Sequence, residues 1–178
     1  MKPLKKGLLA LVALALAMSI ISQFLPNQYR VERKILIAAK PPAIFPWINE
    51  LKKWPEWSAW TPAKDPTLVY AYEGPAEGVG AISKWEAKKL GQGMMKITQA
   101  DPSKGITFDL SFEHGRYLSV GTLAFQASGE STEVVWGMDG KVSRNPMDRW
   151  FSLLMDRLVS PDLEEGLRNL KARAESKK

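Results

Sequence analysis

Cysteine is absent from the 178 residues, and histidine occurs once, at His114. The first absence removes disulfides, thiolate nucleophiles and every cysteine-based metal site. The second removes a histidine cluster, for metal or for proton relay. An acidic excess is lacking as well, since the formal net charge is +6. Three of the 25 basic side chains, Lys2, Lys5 and Lys6, precede a long apolar run, and the remainder outnumber the 19 acidic ones by only three. No basic stripe is interleaved with aromatics, so nothing points to a nucleic-acid partner. Gly78-Val79-Gly80 is no phosphate loop, because neither a Lys-Ser/Thr pair nor a helical pattern follows it. It reads as turn chemistry. Repeats and low-complexity segments are missing, and the length suits one domain with a real core.

What the chain does have begins with an apolar N-terminus. Gly7 to Ile21 is apolar, and Phe24 and Leu25 extend the run across Ser22-Gln23. Residues 7–25 come close to the ~20 that a membrane-spanning helix needs. A cleaved signal peptide is the competing reading, with Ala15-Leu16-Ala17 as a small-residue site. Cleavage there would leave Ile20, Ile21, Phe24 and Leu25 as an apolar stub, which favours an uncleaved single-pass anchor. Residues 1–26 are therefore expected to be the anchor or signal segment, and 27–178 the domain. By the positive-inside rule Lys2, Lys5 and Lys6 stay cytoplasmic, which exports the domain to the extracytoplasmic (periplasmic) side. Arg30, Arg33 and Lys34, just beyond the span, pull against that orientation.

Tyr29 to Ala38 alternates as a strand, with Tyr29, Val31, Arg33, Ile35 and Ile37 on one face. Pro41-Pro42 opens a helix with Ile44, Trp47, Ile48 and Leu51 on one side, ended by Trp54-Pro55. Pro46 is placed in its first turn, where proline is tolerated. Six further strands are expected: Leu68–Glu73, Ala81–Lys89, Met94–Gln99, Ile106–Phe112, Tyr117–Gln126 and Thr132–Val142. Gly- and Pro-bearing turns separate them, which implies an antiparallel meander. Asn145 to Glu175 is a one-sided helix bearing Met147, Phe151, Leu154 and Leu158, then Leu163, Leu167, Leu170 and Ala174. Ser160-Pro161 should break it, and Asn145-Pro146 and Ser160-Pro161 each read as an N-cap with the first helical residue.

Strands paired as a meander with helices on one face describe an α+β domain. A seven-stranded antiparallel sheet curls under its own twist. A helix across its concave side leaves a hollow, the candidate apolar pocket. Phe108, Leu110 and Phe112 share one strand face, as do Val134, Trp136 and Met138, and facing inwards both sets would line it. Solid packing is the competing reading. Phe151, Leu163 and Leu167 would close the hollow from the helix, with Met138, Met155 and Met147 as adaptable fillers. Gly166 costs roughly 1 kcal/mol within a helix, so close approach to sheet or ligand should offset it. Trp54, Trp57 and Trp60 form either a lip over the mouth or a cap on the core. Of the polar candidates, alternation turns Asp109, Lys84 and Glu86 outward, while His114 and Glu73 sit at turns. No catalytic residue, metal ligand or cofactor site is assigned.

The chain from Tyr29 to Glu175 resembles the START-like (SRPBCC) superfamily, and within it the polyketide cyclase/dehydrase and lipid-transport family. The residues that carry the resemblance are Val31-Glu32-Arg33 with Ile35 to Ala38 and Pro41-Pro42, then Trp54-Pro55-Glu56-Trp57-Ser58. Tyr72-Glu73-Gly74, Gly78-Val79-Gly80-Ala81 and Trp85 follow. Thr132-Glu133-Val134-Val135-Trp136, Gly166-Leu167 and Leu170-Lys171 complete it. The resemblance implies a helix-grip fold with a cavity for a hydrophobic or amphipathic molecule, and no universal catalytic residue. Trp57 and Trp85 join the expected lining on that basis. Three functions remain open. A membrane-tethered module binding a hydrophobic or lipid-like small molecule requires a cavity of at least ~300 Å³. A cyclase-like or hydrolytic enzyme requires convergent polar groups with shifted pKa values. An envelope interaction domain without ligand requires a broad exposed apolar patch.

Overall fold

The structure is a computed structural model and describes residues 2–176. Helix α1, Lys2–Ser22, has 21 residues. At 1.5 Å per residue it is about 31 Å long, the thickness of a bilayer's hydrocarbon core. Its Lys5–Ser22 window has a mean hydropathy of 1.8, so by length and composition it is long and apolar enough to cross a membrane. Leu8, Leu9, Leu11, Leu14 and Leu16 are exposed, and little of the Lys5–Ser22 window is buried against the rest of the protein.

Seven antiparallel strands follow: β1 (Gln28–Ile37), β2 (Val69–Glu73), β3 (Ile82–Ala87), β4 (Gly91–Asp101), β5 (Gly105–Phe112), β6 (Tyr117–Ser128) and β7 (Ser131–Lys141). They lie in the order β1-β7-β6-β5-β4-β3-β2, a six-stranded meander with β1 added beside β7. The alternation in the sequence assigns faces because side chains in a strand have period two. Ile97, Phe108, Leu123, Val134 and Trp136 point into the core, whereas Asp109, Lys84 and Glu86 face solvent. The protein thus has the α+β, helix-grip architecture expected.

Helix α2 (Pro41–Asn49) is shorter than expected. It stops before a separate 3-10 helix, Leu51–Glu56, that carries Trp54. Pro46 lies in the second turn of α2, not the first. The indoles of Trp54 and Trp57 donate to the carbonyls of Ile48 and Trp47 at 2.9 Å each, folding this stretch back onto α2.

The C-terminal helix departs from expectation in two ways. Asn145 does cap α3 (Pro146–Ser152), accepting from the Met147 amide at 2.9 Å. The break, however, falls at Leu153-Leu154, and α4 (Met155–Glu175) runs straight through Pro161. Ser160 is no N-cap: its hydroxyl bonds the Asp156 carboxylate at 3.1 Å. The cost of an interior proline is offset by what the helix buries. Leu163, Leu167 and Leu170 are fully buried, each contributing roughly 1.5–3 kcal/mol. Secondly, only this half of the apolar stripe meets the core. Met147, Phe151, Leu153, Leu154 and Leu158 are half or more exposed.

Helix α4 leans on β1 at one edge of the sheet rather than across its middle. Arg33 on β1 fixes it there, bonding Asp156 at 3.1 Å and Glu164 at 2.9 Å. Gly166 sets the closeness of approach: a Cβ there would stand 2.8 Å from the Trp136 ring and 3.6 Å from Trp57.

A buried carboxylate ties the loop after Trp60 to the β3–β4 turn. Asp65 accepts from the Thr67 hydroxyl at 2.6 Å and amide at 3.0 Å, and from the amides of Lys89 at 2.6 Å and Leu90 at 3.2 Å. The Thr67 hydroxyl, followed by the Lys89 amide, holds its pKa well below the usual carboxylate range, against the opposing effect of burial.

Two outcomes follow from this packing. Gly166→Ala gains ~1 kcal/mol of helix propensity but forces a carbon into a filled core, at about 1–3 kcal/mol. Its urea midpoint should therefore fall; a raised midpoint would show that the Trp136 ring has room to shift. Asp65 has a depressed folded pKa, so its stabilisation is present above the ordinary carboxylate pKa and is lost as pH drops below about 4. Asp65→Asn should lower stability at neutral pH and flatten the acid limb of midpoint against pH. Asp101 and Asp156, also held low by Ser103 and Arg33, leave a residual slope.

Candidate functional site

The concave face of the sheet is lined with aromatic rings, and two glycines make room for them. Trp85 pairs across β3–β4 with Gly93, and Phe108 across β5–β6 with Gly121. A Cβ at either glycine would collide with the ring opposite. The rings therefore lie down on the sheet, and β6 contributes no side chain to the hollow.

Trp136 forms the deep end. Its ring centroid is 5.4 Å from Trp57, 5.8 Å from Trp54 and 5.9 Å from Trp60. Trp54 also meets Phe108 edge-on at 5.4 Å. From there the hollow runs along the sheet past Met138, Leu110, Met95 and Ser83 to Phe112, Trp85 and Tyr70. Trp54, Ser58 and Trp60 cover it from the loop side, and Leu68 and Leu90 border it near the Asp65 tether. The registers Phe112↔Gly93↔Trp85↔Tyr70 place its outer row beside the β5–β6 and β3–β4 turns. This is the end of the sheet where β1 begins, β7 ends, and α1 and α3 join the domain.

The cavity has a volume of about 90 Å³. That is well below the ~300 Å³ expected for a small-molecule site.

Of the expected lining, Trp85, Phe108, Leu110, Phe112, Trp136 and Met138 are on the cavity wall. The other six lie elsewhere. Leu163, Gly166 and Leu167 are buried outside the hollow because α4 sits at the sheet edge; Gly166 lies directly against the Trp136 ring, and Trp57 packs beside both. Met155 packs half-buried against the core, away from the hollow, and Phe151 is exposed. Trp54 and Trp57 cap the core, whereas half-buried Trp60 covers the cavity. Ser58, Leu68, Tyr70, Ser83, Leu90 and Met95 were not expected there. Ser83 and Met95 could have been found by extending the alternation from Trp85 and Ile97. Leu68 and Leu90 carry no such signal, since the Asp65 tether places them.

The wall offers few polar groups. Tyr70 is its one ionisable side chain; burial pushes its pKa up to about 12, and its hydroxyl donates to the Trp60 carbonyl at 2.9 Å. The indole N–H of Trp136 is buried and has no hydrogen-bond partner among the described residues. A buried donor without an acceptor costs about 1–3 kcal/mol. It is an adaptable handle for an oxygen that enters the cavity. The polar candidates lie outside. Glu73 and Lys84 pair with each other at 2.6 Å, and His114 bonds Gln92 at 2.6 Å in an exposed turn. No group of three or more His, Asp or Glu side chains among the described residues is arranged to hold a metal ion.

No curated protein matches the chain. Solved structures match its fold at low identity. Norcoclaurine synthase from Thalictrum flavum, in complex with dopamine and hydroxybenzaldehyde, is 16% identical with a TM-score of 0.60; the match covers 89% of this chain and 93% of that one. The di-domain ARO/CYC StfQ of the steffimycin biosynthetic pathway is 13% identical with a TM-score of 0.64, over 84% of this chain and 51% of its own length. This chain thus spans about half of StfQ. A protein from Thermus thermophilus is 20% identical with a TM-score of 0.56, over 83% and 97% of the two chains. The sequence itself matches the family described as polyketide cyclase / dehydrase and lipid transport over residues 28–175. That match takes in every strand and helix of the domain, and the chain belongs to this family.

Proposed function

We propose that the domain binds an apolar, lipid-like small molecule in the cavity beneath Trp136, and that α1 holds it at a membrane. The observation that carries this reading is the hollow itself. It is walled by aromatic and aliphatic side chains and ends on Trp136, whose buried indole N–H has no partner among the described residues. An apolar body would be held by the walls, and one acceptor oxygen would be oriented by Trp136. The present volume admits a ring or a short acyl segment. Met95 and Met138, with half-buried Trp60 and Trp85, are the side chains that would yield to a longer ligand. Relatives of the fold with bound aromatic molecules, such as norcoclaurine synthase, are consistent with such a cargo.

Acid–base catalysis in this cavity has less support. Proton transfer needs a group whose pKa lies near the working pH. Tyr70 titrates far above neutrality, and its proton is engaged by the Trp60 carbonyl. Binding, with presentation to or from a bilayer, suits the wall better. Lys5 and Lys6 at the start of α1 favour a cytoplasmic N-terminus and an extracytoplasmic domain.

Native mass spectrometry of residues 27–178 tests the reading. Wild type should retain an apolar molecule at one per domain. Leu110→Trp, which fills the hollow, should lose it. Trp136→Phe, which keeps a ring but deletes the donor, should weaken retention about tenfold, the worth of one buried hydrogen bond. Equal retention in wild type and Leu110→Trp, or none in wild type, would overturn the proposal.

A further inference from the structure

Half of the C-terminal apolar stripe has nothing on it. Met147, Phe151, Leu154 and Leu158 recur at helical spacing across α3 and the first turn of α4, and Leu153 lies beside them. They are between 50% and 75% exposed, while the continuation of the stripe, Leu163 to Ala174, is buried by the sheet. Five large apolar side chains uncovered on one surface form a patch that water does not favour.

The position of that patch points to its occupant. Helix α3 is joined to the end of α1. Arg149, itself buried, donates to the carbonyls of Leu25 at 2.6 Å and Gln23 at 3.4 Å. The Trp150 indole donates to the Met18 carbonyl at 3.2 Å. Two neighbouring side chains of α3 thus fasten it to the exit of α1, where Ile20 and Ile21 of α1 and Phe24 just beyond it are also exposed.

Charge sorts in the same direction. At this end of the domain Lys88, Lys89, Arg116, Lys141, Arg144 and Arg157 are exposed, and none forms an ion pair among the described residues. The free acids beside them are Glu113 in the β5–β6 turn and Glu86 at the end of β3, fewer than the cations, while Asp148 is engaged by Ser143 at 2.6 Å. The turns at the far end carry Glu77, Asp101 and Glu130 against Lys40 and Lys104, and Lys40 is neutralised by Glu130 at 3.1 Å. Apolar side chains rimmed by unpaired cations match the boundary between acyl chains and anionic headgroups.

We propose that α3 and the first turn of α4 lie in the surface of an anionic phospholipid bilayer, as a second membrane contact beside α1. The inference rests on the membrane reading of α1 given above. It adds an orientation. The domain does not swing freely on a tether; its α3 end is held down. The outer row of the cavity, Phe112, Trp85 and Tyr70, belongs to that same end of the sheet.

The absence of native cysteine makes a direct test available in the full-length chain. Single substitutions Leu14→Cys, Phe151→Cys, Leu154→Cys and Glu130→Cys are labelled with an environment-sensitive nitrobenzoxadiazole dye. Each protein is reconstituted into vesicles of phosphatidylcholine and phosphatidylglycerol, with quencher-bearing acyl chains at known depths. All four positions are exposed, so labelling leaves the core intact. The expected result is deep quenching at 14, shallow quenching at 151 and 154 from about 5–10 Å into the interface, and none at 130. In phosphatidylcholine alone, quenching at 151 and 154 should weaken. Quenching at 14 with dyes at 151 and 154 in water would overturn this proposal and leave the anchor standing. Dyes at 151 and 154 that emit as buried but escape lipid quenching would place a second protein copy on the patch, and also overturn it. Equal quenching with and without phosphatidylglycerol would remove the anionic headgroups from it. Absence of quenching at 14 would overturn the anchor and this inference together.

Discussion

The Trp136 side chain is the joint on which the domain turns. Its indole is met by Trp57 and the bare backbone of Gly166 on the side of α4, and by Trp54 and Trp60 on the side of the hollow. One ring thereby separates a solid half of the core from a vacant half. Aromatic pairs at these separations add about 0.5–1.5 kcal/mol each beyond the area they bury. Concentrating four indoles at one point is what lets a helix cross a curved sheet at its edge without collapsing onto its centre. The unpartnered Trp136 N–H is a consequence of the same arrangement. A ring wedged among other rings has no oxygen within reach, so its polar atom is left buried without a partner among the described residues.

That the hollow is small follows from how it is built. Gly93 and Gly121 let Trp85 and Phe108 lie flat, which deepens the concave face. Trp54 and Trp60 then come down from the loop and take most of the depth back. A cavity closed by large rings on a loop differs from one closed by a helix. Helix packing is fixed by a row of interlocked residues, as at Leu163, Leu167 and Leu170. A half-buried indole on a loop tethered by one carboxylate, Asp65, has fewer neighbours to displace. The capacity of the hollow therefore depends on the segment from Trp54 to Leu68 more than on the sheet.

The strand faces could be read from the sequence because a period of two leaves only one ambiguity, which face is inside, and Phe108-x-Leu110-x-Phe112 decides it. Trp136 and Met138 follow by the same rule. The helix residues failed for a different reason. A 3.6-residue period shows that a face is covered, but says nothing about what covers it. Leu163, Gly166 and Leu167 were apolar and inward, yet inward meant towards Trp57 and β1. Phe151 was apolar with nothing inward of it. Pro161 misled because local propensity argues for a break, while the buried leucines beyond it favour continuation. Asp65 was silent for want of its partners. An Asp-Pro-Thr turn is visible in the sequence, but the amides of Lys89 and Leu90 that bury the carboxylate come from a strand pair over twenty residues away.

One amphipathic stripe thus has two fates along its length, and the difference lies in the surroundings rather than the residues. From Leu163 onward the sheet supplies the apolar partner, and the leucines are fully buried. From Met147 to Leu158 the apolar side chains stay half or more exposed, although the periodicity is equally regular. A sequence under pressure only to fold would replace these residues with polar ones at little cost, since exposed positions contribute least to stability. They lie beside Arg149 and Trp150, the two side chains that grip the exit of α1, so the exposed half of the stripe and the exposed residues of α1 belong to one end of the domain. Under the proposed membrane contact, a single bilayer would cover both.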